Sequence, residues 1–145
     1  MQFDNSFSVQ APLDEVFAAI SDIERVVPCV PGAMVVERCN EDVYDVALKA
    51  RVGPMFRRYT GRITVLERDP AAHRVVLTNR ARDARGRYVG EARIEIGLAE
   101  LGSHTNVSIY SRVTMTEGAL AEKTIAETSA KQMAEFSANL RALVG

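Results

Sequence analysis

The stretch Arg87-Tyr88-Val89-Gly90-Glu91-Ala92-Arg93-Ile94-Glu95-Ile96-Gly97-Leu98-Ala99 alternates with a period of two. That period predicts a half-buried strand, with Tyr88, Gly90, Ala92, Ile94, Ile96 and Leu98 on one side and Arg87, Glu91, Arg93 and Glu95 on the other. The same pattern recurs on both flanks. Met34–Cys39, Val43–Val52, Arg57–Arg68, Arg74–Arg82 and Thr105–Thr116 all read as strands. Turn residues separate them at Asn40-Glu41-Asp42, Gly53-Pro54, Asp69-Pro70, Asp83–Gly86 and Gly102-Ser103, which predicts an antiparallel meander.

Further out, Phe3–Val9 alternates as a first strand. Pro12, Asp14 and Glu15 then mark a helix start, where acidic side chains favour the helix dipole. Leu13, Val16, Phe17, Ile20 and Ile23 give that helix one apolar face, and Pro28, Pro31 and Gly32 end it. At the other end, Ala119–Val144 carries an apolar stripe through Ala121, Ile125, Ser129, Met133, Phe136, Leu140 and Leu143. The expectation is an α+β fold: a curved seven-stranded antiparallel sheet wrapped around a long C-terminal helix, with short helices after strand 1. Its 145 residues form one domain, 1–145, large enough for a core without metals or disulfides.

Alternation divides the sheet into two faces. The apolar face collects Tyr44, Val46, Leu48, Ala50, Tyr59, Gly61, Ile63, Val65, Val75, Leu77 and Ala81, then the Tyr88–Leu98 set, then Val107, Ile109, Ser111, Val113 and Met115. The last helix is the only element long enough to cover it. Small residues on both sides of that contact predict an apolar cavity, lined by Tyr44, Val46, Leu48, Tyr59, Leu77, Tyr88, Gly90, Ile94, Ile109, Met133 and Phe136. Tyr44, Tyr59 and Tyr88 are its polar handles. Gly53, Pro54, Met55 and Phe56 join two strands beside it and read as a gate or a membrane-touching tip.

The formal net charge is −1, yet residues 49–93 carry twelve bases and four acids. Arg58, Arg62, Arg68, Arg74, Arg80, Arg82, Arg93 and Arg112 all fall on the polar face by alternation. Of these, Arg58, Arg62, Arg74, Arg80, Arg82 and Arg93 are expected to form one docking patch for an acidic partner or an anionic membrane. With no aromatic interleaved on this face, nucleic acid is not an expected partner.

Chemistry-bearing motifs are sparse. No P-loop, GxGxxG, GxSxG or HExxH occurs. His73 and His104 fall at turns without metal-ligand spacing. Cys29 has no activating base nearby in sequence, and Cys29 and Cys39 make no disulfide framework. No signal peptide and no apolar run of membrane-spanning length is present. The reading is therefore no catalytic residue, no metal, no cofactor, a cytoplasmic location that leaves peripheral contact with the inner membrane face open, and a monomer or weak dimer.

Short motifs narrow the picture. Val30-Pro31-Gly32, Val52-Gly53-Pro54, Tyr59-Thr60-Gly61, Asp69-Pro70, Gly90-Glu91-Ala92 and Gly118-Ala119-Leu120-Ala121 occur in this order. In that order they resemble the carbon monoxide dehydrogenase G-subunit family, within the SRPBCC (START and polyketide-cyclase) helix-grip superfamily. The resemblance covers nearly the whole chain. It departs at Ala119, where the family usually has lysine, and the tail-dependent membrane anchoring of some members is not expected here, as the sequence stops at Gly145. It implies a non-enzymatic binding or carrier protein for a lipid- or quinone-like molecule, accessory to a molybdenum-containing dehydrogenase. The alternatives are a cyclase- or hydrolase-type enzyme using the same cavity, or an assembly factor docking through its arginine face.

Overall fold

The computed structural model describes residues 1–52, 54–116 and 122–144, with side chains throughout except at 51–52 and 122–129. The chain runs β1 (Gln2–Val9), α1 (Leu13–Ser21), α2 (Ile23–Val26), a 3-10 turn (Val27–Cys29), β2 (Ala33–Arg38), β3 (Val43–Val52), β4 (Met55–Asp69), β5 (Arg74–Asp83), β6 (Tyr88–Leu101), β7 (His104–Met115) and α3 (Glu122–Val144). The seven strands form one antiparallel sheet in the order β1-β7-β6-β5-β4-β3-β2. Strand ends match the alternation to within about two residues. The expected start of the last helix, Ala119–Ala121, lies outside the described residues.

Local chemistry sets the connections. Pro12 stands at the α1 N-cap with φ −60°, and Asp14 and Glu15 fill the first turn. Asp22 caps α2 by accepting from the Glu24 amide at 3.2 Å. Gly32 has φ +78°, and a side chain there would run into the Lys49 carbonyl. Only glycine lets this turn pass so close to β3.

The core occupies one end of the concave face. Val75, Ile96, Leu98, Val107 and Ile109 meet Val16, Ala19, Ile20 and Ile23 from the short helices. The C-terminal half of α3 closes over them with Phe136, Leu140 and Val144, spaced four apart. Phe136 sits edge-on to Phe7 at 6.2 Å between ring centroids. The Asn139 amide donates to the Cys29 carbonyl at 2.9 Å, and Arg141 donates to the Ser8 carbonyl at 3.0 Å.

Three register shifts interrupt strict alternation, at Val36 in β2, Leu66 in β4 and Val89 in β6. Each bulge carries the residues beyond it to the opposite face. The Leu66 bulge corrects the placement of Arg68. That residue pairs with Val75 on the concave side, not with the outer arginines. Its guanidinium donates to the Ser21 carbonyl (3.0 Å), the Asp42 carboxylate (2.7 Å) and the Glu41 carbonyl (3.0 Å). It therefore ties the end of α1, where helix carbonyls lack intrahelical partners, to the β2–β3 turn. Replacing Arg68 with Ala is expected to cost about 2 kcal/mol, because the two carbonyls and the carboxylate lose one shared donor. Urea unfolding with an unchanged m-value checks this; an unchanged midpoint would show that the clamp contributes nothing.

Candidate ligand-binding site

Cross-strand register groups the concave face into rows. One runs Tyr44–Ile63–Asn79–Ala92–Val113, and the next runs Val46–Gly61–Ala81–Gly90–Met115. A third row, Val65–Leu77–Ile94–Ser111, borders the core. The face is not uniformly covered. Tyr44, Val46, Ile63, Val65 and Leu77 are buried with the core cluster. Leu48, Tyr59, Gly61, Asn79, Ala81, Ala92, Ile94, Ser111, Val113 and Met115 are only half-buried. This second group, from the five adjacent strands β3 to β7, forms the half-open end of the concave face, with Gly61, Ala81, Ala92 and Ser111 as its small members. Met133 on α3 is half-buried against the core beside it.

The residues expected to line the cavity therefore separate. Leu48, Tyr59 and Ile94 lie in the half-open region. Val46, Leu77, Ile109 and Phe136 belong to the packed core. Tyr44 is 4% exposed, and its hydroxyl donates to the Glu41 carbonyl at 2.8 Å, so it is a satisfied core tyrosine and not a ligand handle. Gly90 marks no open space. A Cβ there would lie 2.6 Å from the Thr114 carbonyl oxygen, so this glycine lets two backbones pass closely. Tyr88 leaves the cavity altogether. The Val89 bulge turns it to the convex face, where the Arg80 guanidinium stands 5.3 Å from its ring centre.

Asn79 escaped the sequence reading. It sits between Leu77 and Ala81 on the same face of β5, where counting every second residue would have found it. Its Oδ1 is buried and accepts no hydrogen bond among the described residues.

Of the expected gate, Gly53 lies outside the described residues. Pro54 is exposed, as are Met55 (66%) and Phe56 (58%). The last two point apart. Met55 pairs with Val52 and precedes Arg57 on the concave side, whereas Phe56 lies on the convex side under Lys49, whose Nζ is 4.5 Å from the ring centre. Met55 and Arg57 thus border the half-open region, and Phe56 belongs to the arginine face.

That face is less uniform than its sequence suggests. Arg62 is held by Asp45 at 2.9 Å, Arg74 by Glu67 (3.3 Å) and Glu95 (3.2 Å), and Arg93 by Glu95 (3.5 Å). Among the described residues, Arg58, Arg80 and Arg82 have no carboxylate partner. Aromatic rings are present after all: Phe56 and Tyr88 as above, and Tyr110 beside Arg112 at 5.9 Å. Each ring is already faced by one of the protein's own cations.

Reactive groups lie away from the concave face. Both histidines line a cleft of about 590 Å³ at the opposite end of the sheet, with Ala11–Asp14, Glu100, Gly102 and Ser103. His73 pairs there with Asp14 at 3.3 Å and stacks edge-on to Phe17. Burial pushes the Cys29 thiol up, with Arg25 opposing. Glu37, Cys39 and Asp45 bring donor atoms within 4.8 Å of one another. Arg62 already pairs with Asp45 in this group, and its hydrogen bond holds the Asp45 carboxyl below the usual range.

A seven-stranded antiparallel sheet curved around a C-terminal helix, with short helices after the first strand, is the helix-grip fold of START and polyketide-cyclase proteins. The chain belongs to the CoxG family, the G subunits of carbon monoxide dehydrogenase, whose sequence model matches residues 6–145. A conserved protein from Geobacillus kaustophilus superposes with TM-score 0.86 at 16% identity, covering 99% of this chain and 95% of that one. The Zhui aromatase/cyclase from Streptomyces sp. R1128 gives 0.71 at 16%, with coverages of 99% and 93%. A START superfamily protein from Mycobacterium smegmatis gives 0.69 at 12%, with 99% and 96%. No curated protein matches the sequence significantly. Among the described residues, no helix is long and apolar enough to cross a membrane.

The two kinds of small residue predict opposite responses. Gly90→Ala should lower stability by about 1–3 kcal/mol, because its Cβ meets backbone that cannot yield. Ala92→Leu projects into the half-open region and should leave the unfolding midpoint nearly unchanged. Equal losses in thermal or urea unfolding would mean that both sites are packed core.

Proposed function

We propose that this protein is a non-enzymatic binding or carrier module for a hydrophobic small molecule, held against the half-open end of the concave face. The observation that carries this reading is the division of one apolar face. One end is sealed by three helices, while at the other Leu48, Tyr59, Ile94, Val113 and Met115, with small residues between them, remain half-exposed. Apolar surface left concave and partly open is what a ligand of this class buries.

Chemistry on the same wall is poorly supported. Asp83, the carboxylate nearest the mouth on β5, accepts the Arg85 amide at 2.9 Å and the Arg87 amide at 3.0 Å. Those bonds hold its carboxyl below the usual range, the wrong direction for a general acid. Native mass spectrometry after exposure to a bacterial lipid extract is the test. One apolar adduct per chain is expected, and Ala92→Leu should lose it without losing the fold. A clean unliganded mass under these conditions would sink the carrier reading.

The family name directs the partner search to a carbon monoxide dehydrogenase-type enzyme, and the surface offered to an anionic partner is the unmatched strip of Arg58, Arg80 and Arg82 beside Lys49 and Phe56. Each such charge near an anionic membrane is worth about 1 kcal/mol, so docking there is weak and salt-sensitive. The Arg58→Glu, Arg80→Glu double variant should stop co-sedimenting with phosphatidylglycerol vesicles at low salt and should keep its adduct. Arg74→Glu should matter less, since Arg74 already has two carboxylates. Equal sedimentation of all three proteins would reduce the strip to a solvated face.

A further inference from the structure

We propose that the tip of the β3–β4 hairpin inserts into the surface of an anionic lipid bilayer, with Met55 and Phe56 among the outer ends of the acyl chains and Lys49, Arg57 and Arg58 at the phosphates. The proposal rests on the docking reading above and deepens it, from a charged surface lying on a membrane to an apolar tip set into one. It also turns the half-open part of the concave face toward the bilayer, because that part and this hairpin lie at the same end of the meander.

The tip is layered as a bilayer surface is layered. Pro54, Met55 and Phe56 are all exposed at its apex. Arg57 and Arg58, also exposed, come next along β4, and Lys49 on β3 pairs directly across from Arg58. At about 3.3 Å of rise per residue, the Arg58 level stands roughly 7–10 Å behind the two apolar side chains. Interfacial segments bury an apolar face to a depth of about 5–10 Å, so these cations would meet the headgroups when the apex reaches the acyl chains. Residues 49–58 carry four bases and no acid. The adjoining β5–β6 hairpin adds an exposed Arg85 at the same end, and its carboxylate, Asp83, is already engaged by Arg87 at 3.2 Å.

The directions of the two apolar side chains select a bilayer over a protein. Met55 lies on the concave side of the hairpin with Arg57, whereas Phe56 lies on the convex side with Arg58 and Lys49. A protein docked against one side would bury one of them and leave the other in water. A fluid bilayer closes around the tip and removes both from water. Lys49 suits that setting, since a lysine whose Nζ lies 4.5 Å from the Phe56 ring centre can keep its ammonium at the phosphates while the ring sits deeper.

The protein has no tryptophan, so a single introduced indole reports its own surroundings. Two variants are compared: Phe56→Trp at the tip, and Leu101→Trp at an exposed position by the β6–β7 turn, at the opposite end of the sheet. With phosphatidylcholine–phosphatidylglycerol vesicles, Phe56→Trp should shift its emission to the blue and be quenched by lipid brominated on its acyl chains. Leu101→Trp should show neither effect. The Met55→Ser, Phe56→Ser double variant, which keeps every cation, should bind these vesicles at least about tenfold more weakly and melt as wild type does, because both side chains are exposed. Vesicle binding with no blue shift or quenching in Phe56→Trp, or with undiminished affinity in the double variant, would overturn insertion and leave docking by charge alone. A blue shift that grows with protein concentration in the absence of vesicles would assign the tip to a second copy of the chain, and one produced by polyglutamate but not by vesicles would assign it to an acidic protein; either would overturn the bilayer. Failure of the wild type to bind the vesicles at low salt would overturn the membrane-docking reading as well, so the two failures are distinguished.

Discussion

Everything in this fold follows from the need to keep one face of a curved sheet out of water. Seven antiparallel strands present a broad concave apolar face. Among the described residues, the need is met at one end. There α1, α2, the 3-10 turn and the last two turns of α3 converge on Val75, Ile96, Leu98, Val107 and Ile109. Hydrophobic burial at about 25 cal/mol per Å² makes that end the stable anchor of the molecule. The other end keeps partial exposure among the described residues, and its half-buried side chains make the wall proposed above for an apolar ligand.

Bulges then decide what that wall displays. The shift at Leu66 carries Arg68 inward, where it links α1 to the β2–β3 turn. The shift at Val89 carries Tyr88 outward onto Arg80. Leu66 is 52% exposed and Val36 63%, as expected for extra residues squeezed out of the ladder. Among the polar groups on the concave side, Tyr44 is satisfied by backbone and Asp83 by turn amides, while the buried Asn79 Oδ1 has no partner among the described residues.

On the convex side, cross-strand pairing sorts the arginines. Arg62, Arg74 and Arg93 meet carboxylates from neighbouring strands, and Val76 is almost fully buried opposite Glu67 and Glu95. Arg58, Arg80 and Arg82 stand beside Lys49, Phe56 and Tyr88 instead. The local balance of charge, not the total of twelve bases, defines what an anionic surface would meet.

Sequence alone determined the order of elements, the seven strands, their breaks and the presence of a long C-terminal helix, though not that the short helices share in covering the sheet. These are local matters: the period of two, the three-to-four spacing, and the turn chemistry of Asn, Gly and Pro each act within a few residues. It also placed Leu48, Tyr59 and Ile94 on the wall where they are found. Tertiary structure alone decided the rest, because burial and pairing depend on residues far apart in the chain. Alternation cannot foresee a bulge, so Tyr88 and Arg68 were assigned to the wrong faces. Composition cannot tell a glycine that leaves space from one that admits a backbone, so Gly90 was misjudged. Alternation does place Asn79 between Leu77 and Ala81, but only the register shows its Oδ1 packed over Gly61.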